Sequence, residues 1–264
     1  MHIGLLWSFS LYQKSYLINE HEQHFPYFFT TRNVSYSIIP MPRIARVCAE
    51  GYPHHITQRG NNKDKTFFDD EDKRFYLDVL QRYKDKYKMK ILAYCLMGNH
   101  VHVLAKPEKE TSLARGIGGT NLLYTQSINR KYNRSGRLWQ NRFFSSVVEK
   151  EPYLWAVMRY IEQNPVRAKL VKRAEDYQWS SARAHISGIK DDVLSKESWF
   201  NEKEIKSYRA FLGKDAKEIN ASIRRATSTG RPLGGEGFIK KLQRILKRDL
   251  FPKKGGRPKK KGKK

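Results

Sequence analysis

Two histidines separated by one residue, His100 and His102, have the type and spacing to bind one metal ion. They lie in KILAYCLMGNHVHVLAKP, an apolar and partly β-branched run divided by Gly98-Asn99, which predicts two short strands joined by a hairpin turn. Because side chains alternate across a strand, both imidazoles would lie on one face and Val101 on the other. The pair is either a metal site or two half-buried strand histidines bonded to neighbours or water.

A tyrosine and a carboxamide form the second candidate group. In MRYIEQNPV, Tyr160 and Asn164 stand four residues apart and therefore share one face of a predicted helix, with Gln163 beside Asn164. The alternative is an ordinary amphipathic helix, in which Tyr160 packs at the edge of the core and Asn164 ends the helix before Pro165.

The elements that must position these residues alternate between strand and helix patterns. A β-rich stretch spans residues 54–58, and apolar residues recur with helical spacing from 75 to 87, after aspartates that suit a helix N-terminus. The hairpin strands follow, then a glycine-weakened helix from Thr111 or Ser112 to Tyr132, a strand in RLWQNRFFSSVVEK, and a helix from Pro152 to Pro165. This order predicts an α+β fold whose helices pack on one face of a sheet.

The charge of the chain indicates a polyanionic partner. Its 264 residues carry 52 Lys and Arg against 26 Asp and Glu, a formal net charge of +26. Residues 221–264 hold 16 of the basic residues and only Glu236 and Asp249 as acids. With 39% hydrophobic residues the chain can still fold, so disorder throughout is excluded.

Cysteine usage and hydropathy bear on the compartment. Cys48 and Cys95, the two cysteines of the sequence, cannot build a disulfide framework or a four-sulfur zinc site, and they fit a reducing cytosol. No apolar run approaches the roughly 20 residues needed to cross a bilayer. The sequence therefore predicts a cytoplasmic protein without a membrane partner, and its charge predicts association with the nucleoid.

Several motifs together resemble those of the single-tyrosine HUH transposases, particularly the REP-associated tyrosine transposase group. The specific combination is NHVH within MGNHVHVL, followed about 60 residues later by RYIEQNPVRAKLV and WSSARAH. MPRIAR, HHITQRGNN, RLWQNRF and IRRATSTGRPLG are also similar to that group. The resemblance spans about residues 41–188 and continues more loosely to the end of the chain.

The resemblance implies a fold and a site. The fold is a ferredoxin-like antiparallel sheet with the paired histidines on a central strand. His100 and His102 match the metal ligands, Tyr160 matches the nucleophile, and Asn164 matches the amide that completes the metal shell. Some related transposases have Gln at this last position, which makes Gln163 a competing candidate. The implied cofactor is a divalent metal, Mg²⁺ or Mn²⁺.

The activity that the resemblance implies is cleavage and rejoining of single-stranded or hairpin DNA through a 5′-phosphotyrosine intermediate. Two alternatives belong to other classes. The first is a DNA-binding regulator derived from such an enzyme and lacking cleavage activity, against which the retained His100, His102 and Tyr160 argue. The second is an RNA-binding protein in which the histidine spacing is coincidental. The helix that carries Tyr160 argues against this alternative.

Two further sets of residues have functional side chains but no predicted ligand role. The first predicted strand carries His54, His55 and Arg59, and in relatives this strand adjoins the active site. Either one histidine or Arg59 contacts the DNA backbone, or these residues have a structural role. Neither histidine is predicted to bind metal. Tyr124 and Tyr132 lie at helical spacing from Ile128, which favours core packing.

The predicted organisation has four parts. Residues 1–40 are an N-terminal extension with little predicted order, 41–190 the catalytic domain, 191–250 a small helical basic region, and 251–264 a disordered basic tail. Gly256-Arg257-Pro258, flanked by lysines, resembles an AT-hook that inserts Arg into an A·T-rich minor groove; the alternative is a nonspecific phosphate-binding tail. The sequence is compatible with a monomer or a homodimer.

Overall fold

The computed structural model describes residues 47–150, 153–198, 200–214 and 216–251. The predicted N-terminal extension, Pro152 and the AT-hook-like motif lie outside the described residues.

Four antiparallel strands form the sheet that positions the candidate site. They are β1 (His54–Arg59), β2 (Met89–Leu96), β3 (His100–Pro107) and β4 (Phe144–Val147), in the spatial order β2-β3-β1-β4. Helices α1 (Asp70–Lys86) and α2 (Ser112–Lys131) connect β1 to β2 and β3 to β4. The βαββαβ order confirms the ferredoxin-like sheet, and β3 with its two histidines is a central strand.

The first helix has the start and the buried face that its sequence predicts. Asp69 accepts a hydrogen bond from the amide of Asp72, and the Asp72 carboxylate accepts one from the amide of Asp69, which together form a capping box. Tyr76, Val79 and Leu80 form the buried face of α1. The helix therefore packs on the sheet through residues three and four apart.

Helices cover both faces of the sheet, which corrects the expectation of helices on one face. On the first face, Ile56, Val101 and Val103 pack against α1 and α2, as predicted. On the opposite face, the apolar Cys95 and Leu104 pack with α3 (Tyr153–Glu162) and with helices from the C-terminal region. Since both faces of β2 and β3 carry apolar side chains, each face needs its own helical layer.

The chain beyond the last strand continues as short helices. These are α4 (Asn164–Arg167), α5 (Ala182–Ser187), α6 (Glu202–Leu212), α7 (Lys217–Thr229) and α8 (Glu236–Leu246), with single 3₁₀ turns at Asn61–Lys63, Ala174–Asp176 and Lys196–Ser198. Pro165 interrupts the helical path less than predicted, because it lies in the first turn of α4, where its missing N–H costs no hydrogen bond. Within the described ranges, no helix has the length and apolar composition needed to span a bilayer.

Helix α7 lies beside the sheet because the segment after it is hydrogen-bonded to β4. Gly230 ends α7 with a left-handed backbone (φ 72°), and the Leu233 amide then donates to the Val147 carbonyl at 2.7 Å. The Ser146 hydroxyl donates to the Arg231 carbonyl. These contacts hold α7 against β1, β4 and α3.

A buried carboxylate fixes the end of α3. Glu162 is fully buried and accepts hydrogen bonds from Ser181 Oγ, from His185 Nδ1 at 2.6 Å and from the Tyr208 hydroxyl at 2.8 Å. A buried carboxylate is tolerated only when its oxygens are paired in this way. Helices α3, α5 and α6 are thereby joined two residues from Tyr160.

Candidate active site

The two imidazoles of β3 project from one face of the sheet. Val101 and Val103 face the α1–α2 layer, so His100 and His102 face α3. Their ring centroids are 5.1 Å apart and their planes are nearly perpendicular, at 84°. His102 is 6% exposed and His100 is partly buried. The alternation of side chains along β3 therefore places both rings where the sequence predicts.

One nitrogen of each ring is occupied by a protein neighbour. His100 Nδ1 lies 2.7 Å from Asn99 Oδ1, and His102 Nδ1 lies 3.0 Å from His55 Nε2. Because the Asn99 oxygen can only accept, His100 donates its Nδ1–H and carries a lone pair on Nε2. Partners of this kind typically orient metal-binding histidines, so the remaining Nε2 atoms are the candidate ligands.

The environment keeps these imidazoles neutral. Burial, followed by the positive charge of Arg59, lowers the pKa of His100 to about 4. Burial also lowers the pKa of His102 well below its usual value, with further contributions from His55, His100 and Arg167. A neutral imidazole has the lone pair that metal coordination requires, and both rings have it at neutral pH.

Tyr160 meets the histidines from the adjoining helix. Its ring packs edge-on against His102, at 5.7 Å between centroids and 87°, and against His55, at 5.6 Å and 77°. Tyr160 is 7% exposed. The structure therefore places Tyr160 next to the paired imidazoles, although about 60 residues separate it from them in the sequence. Tyr160 also lies at the edge of the core.

Two arginines lie close enough to Tyr160 to affect its phenol. Burial raises the pKa of Tyr160, and the positive charges of Arg167 and Arg224 act in the opposite direction. The Arg167 guanidinium lies 4.5 Å above the Tyr160 ring and donates to the Tyr160 carbonyl at 2.6 Å. Neither arginine was predicted from the sequence; RYIEQNPVRAKLV places Arg167 two helical turns after Tyr160, which was the available signal.

The two candidate amides on this segment have different partners. Gln163 Nε2 donates to the Leu212 carbonyl at the end of α6, at 2.9 Å. Asn164 Nδ2 donates to the carbonyls of Tyr160 and Ile161, both at 3.1 Å. These bonds hold Gln163 toward the end of α6 and Asn164 beside the end of α3, so the two candidate amides have separate partners.

The donor set of the site suits an open metal centre. Across the described ranges, no three side chains of His, Cys, Asp or Glu converge on a position that could hold a metal. Two neutral imidazoles with free Nε2 atoms still fit a divalent cation, provided that an amide and substrate or water oxygens complete its coordination. His100 and His102 are thus suited to a metal that keeps open positions.

The other sequence candidates lie outside the metal-binding set. His54 is fully buried and bonded to the Tyr52 carbonyl and the Ala49 amide, so its role is structural. Both ring nitrogens of His55 are hydrogen-bonded to side chains. Arg59 is exposed and bonds Gln140.

The two helix tyrosines also have partners away from the site. Tyr124 is fully buried and donates to the Thr66 carbonyl, as the predicted core role requires. Tyr132 donates to the Asp69 and Asp72 carboxylates at the start of α1.

Comparison with known proteins defines the class. Residues 48–164, which contain His100, His102, Tyr160 and Asn164, match the family described as "Transposase IS200 like". Residues 48–164 therefore belong to the IS200-like transposase family, and this segment is that of a DNA transposase of the single-tyrosine class, an enzyme that cleaves and transfers DNA strands.

One curated relative and one solved structure are similar to this chain. A protein of Haemophilus influenzae named as a REP-associated tyrosine transposase is 23% identical over 154 residues, covering 52% of this chain and 85% of the relative. A solved REP-associated tyrosine transposase bound to a REP hairpin superposes with a TM-score of 0.47 at 17% identity, covering 61% of this chain and 96% of that structure.

Proposed function

We propose that this transposase cleaves and rejoins single-stranded or hairpin DNA, with Tyr160 as the nucleophile and with His100, His102 and Asn164 as the ligands of a divalent metal. The observation that carries this proposal is the packing of Tyr160 against the histidine face of β3, with ring centroids 5.7 Å apart for Tyr160 and His102. A nucleophile beside a metal-binding pair is the arrangement that phosphoryl transfer needs.

His100 and His102 would hold Mg²⁺ or Mn²⁺ through Nε2, and the Asn164 side-chain oxygen would complete the protein ligands. Such a cation supplies charge neutralisation at the scissile phosphate. In the reaction, the Tyr160 oxygen forms a bond to phosphorus as the bond to the 3′-oxygen breaks. The products are a 5′-phosphotyrosine and a free 3′-hydroxyl. Attack by a 3′-hydroxyl on the phosphotyrosine reverses the step, so rejoining needs no ATP.

The arginines near Tyr160 assist the protein's part of the reaction. The phenol proton must leave as Tyr160 attacks, and burial opposes its loss by raising the pKa. The Arg167 guanidinium above the ring stabilises negative charge on the tyrosine, and Arg167 is an exposed residue that an incoming phosphate can reach. Arg224 adds positive charge from α7.

Hairpin or single-stranded DNA is the proposed substrate class because the named relative is a REP-associated transposase and the chain carries 52 basic residues. A regulator without cleavage activity would not require a nucleophile packed on two imidazoles. The complete set of His100, His102 and Tyr160 therefore favours the enzyme.

The first prediction tests the nucleophile. The full-length protein is incubated with 5′-labelled or 3′-labelled hairpin DNA and Mn²⁺, and covalent adducts are resolved on denaturing gels. Tyr160→Phe removes one oxygen and little volume, so the adduct should disappear while DNA affinity stays within about twofold of wild type. Tyr132→Phe, which changes a tyrosine whose hydroxyl bonds Asp69 and Asp72 at the start of α1, should retain the adduct. An adduct that persists in Tyr160→Phe and maps to another tyrosine contradicts the assignment.

The second prediction tests the metal ligands. His100→Ala and His102→Ala should each lower Mn²⁺ affinity at least about tenfold and abolish adduct formation, because each removes one of two imidazole ligands. Isothermal titration with Mn²⁺ alone measures the affinity. Unchanged Mn²⁺ binding in both variants would show that the histidine pair is structural.

A further inference from the structure

A chain of buried side chains links helix α7 to the candidate metal ligand His102. The Thr227 hydroxyl lies 2.7 Å from His55 Nδ1, and His55 Nε2 lies 3.0 Å from His102 Nδ1. Thr227, His55 and His102 are 5%, 1% and 6% exposed. The chain therefore connects α7, β1 and β3 away from solvent, and its first member lies outside the segment 48–164 that matches the transposase family.

Counting donors gives each hydrogen bond in this chain a direction. Thr227 Oγ1 lies 2.9 Å from the Ile223 carbonyl, which can only accept, so the single hydroxyl proton points there. Thr227 can then only accept from His55, which must carry its proton on Nδ1. The Nε2 atom of neutral His55 is consequently an acceptor, and His102 must donate its Nδ1–H to it. This order leaves the lone pair of His102 on Nε2.

His100 and His102 are thus held in the same Nδ1–H tautomer by different partners. His100 is fixed by Asn99, its neighbour along the chain. His102 depends on a residue 125 positions later, through His55. His55 is 1% exposed and neither of the two side chains bonded to its ring is an anion, so burial favours the neutral ring that the chain of donors requires.

We infer that Thr227 and His55 are positioning residues that hold His102 in the Nδ1–H tautomer and so present Nε2 to the divalent metal. This inference rests on the proposed function. Without the Thr227 hydroxyl, His55 has no acceptor for its Nδ1–H and can instead protonate Nε2. His55 would then donate to His102 Nδ1 and force the His102 proton onto Nε2, which blocks coordination. Helix α7 is in this way part of the metal site.

The test compares two threonines of the same helix in the full-length protein. Thr227→Val keeps the shape and removes the hydroxyl, and Thr227→Ser restores it. Thr229→Val is the matched control, because Thr229 is also buried but its hydroxyl bonds the Arg225 and Ala226 carbonyls of α7. The first readout is the affinity for Mn²⁺ alone, by isothermal titration. The second is the ¹⁵N chemical shifts of the His102 ring in metal-free protein, which report its tautomer.

Thr227→Val should weaken Mn²⁺ binding by about 10-fold to 100-fold, the usual effect of removing a partner of a metal-binding histidine. In the same variant His102 should lose the Nδ1–H tautomer. Thr227→Ser and Thr229→Val should keep wild-type affinity and the wild-type tautomer.

Three results would overturn the inference: wild-type affinity and tautomer in Thr227→Val, an equal loss of affinity in Thr229→Val, or an Nε2–H tautomer of His102 in the wild-type protein. The last measurement needs no variant, so it decides the question even if Thr227→Val fails to fold. Absence of Mn²⁺ binding by the wild-type protein would instead contradict the proposed metal site, and the tautomer of His102 would still test the hydrogen-bond chain.

Discussion

Among single residues, the role of each histidine on β1 and β3 follows from what its two ring nitrogens contact. His54 bonds main-chain atoms through both nitrogens and His55 bonds side chains through both. His100 and His102 each use Nδ1 within the protein, which makes Nε2 their candidate ligand atom. The partners of the ring nitrogens therefore separate these four histidines into one structural residue, one positioning residue and two candidate metal-binding residues.

The third prediction concerns the pH dependence of stability and uses His54, which lies apart from the metal-binding set. Burial lowers the pKa of His54 to about 4, against 6.5 for a histidine in the unfolded chain. As pH falls from 6.5 toward 4, the unfolded chain binds a proton that the folded protein does not. The free energy of unfolding should therefore fall by up to about 1.4 kcal/mol per pH unit from this residue.

Denaturant unfolding at several pH values between about 7 and 4.5 measures this dependence, since it spans most of the interval between the two pKa values. His54→Gln removes the titrating group, so the variant should show a shallower loss of stability with falling pH, whatever its stability at neutral pH. Equal slopes in the variant and the wild type would show that His54 titrates alike in the folded and unfolded states.

Among the helices and strands, α2 shows how a helix with several glycines can be used for packing. A Cβ on Gly119 would overlap Cε1 of the Tyr83 ring on α1, so the glycine permits the close approach of the two helices. A Cβ on Gly118 would meet no atom within 4 Å. The glycines that lower helix propensity therefore differ in what they contribute to packing.

The fourth prediction compares these two positions. Gly118→Ala should raise the free energy of unfolding by about 0.5–1 kcal/mol, because alanine has the higher helix propensity and the site has room. Gly119→Ala should lower it, because the Tyr83 ring must move to admit the methyl group. Thermal and denaturant unfolding of both variants measure the effects; equal stabilisation by the two alanines would show that the packing of α1 on α2 does not need Gly119.

Basic residues are concentrated toward the C-terminal end of the chain, and part of this basic region is packed into the folded domain. Gly230-Arg231-Pro232 forms the corner between α7 and the segment paired with β4. It is therefore a structural element. We propose that the second copy of this motif, Gly256-Arg257-Pro258, belongs to a basic tail at 251–264 that contacts DNA beside the catalytic domain at 41–190.

The fifth prediction tests that tail. Deletion of residues 251–264 removes eight basic residues and no acidic ones. The slope of log affinity against log salt should become shallower by about 0.7–0.9 for each phosphate that the shortened chain no longer neutralises. At a saturating DNA concentration the shortened protein should still cleave, because His100, His102 and Tyr160 lie outside the deleted residues. An unchanged affinity and salt slope would show that the tail does not bind DNA.

The variants Arg257→Ala and Lys260→Ala separate the two forms of the tail hypothesis. Loss of a preference for A·T-rich flanking duplex with Arg257→Ala, but less with Lys260→Ala, supports an AT-hook, because only an arginine in the minor groove senses base composition. Equal small reductions in DNA affinity in the two variants support a nonspecific basic tail.

Patterns within the sequence were enough to predict the strand and helix order and the face on which His100 and His102 lie. These features depend on local relations: alternation along a strand, helical spacing, and glycine or proline at turns. The motif combination also identified the family and implied the antiparallel sheet, and Tyr160 and Asn164 were selected from their spacing on one predicted helix.

Packing in three dimensions was needed to establish the second helical layer, the different hydrogen-bond partners of Gln163 and Asn164, and the contacts of His55, Arg167 and Thr227. The spacing of Thr227 from His102 carries no signal, because residues far apart in the chain meet only when α7 packs on β1 and β4. The direction of each hydrogen bond between them depends on a carbonyl of α7, that of Ile223, which can only accept a hydrogen bond. Local propensity cannot encode such a relation, since it arises from donors and acceptors that separate elements bring together.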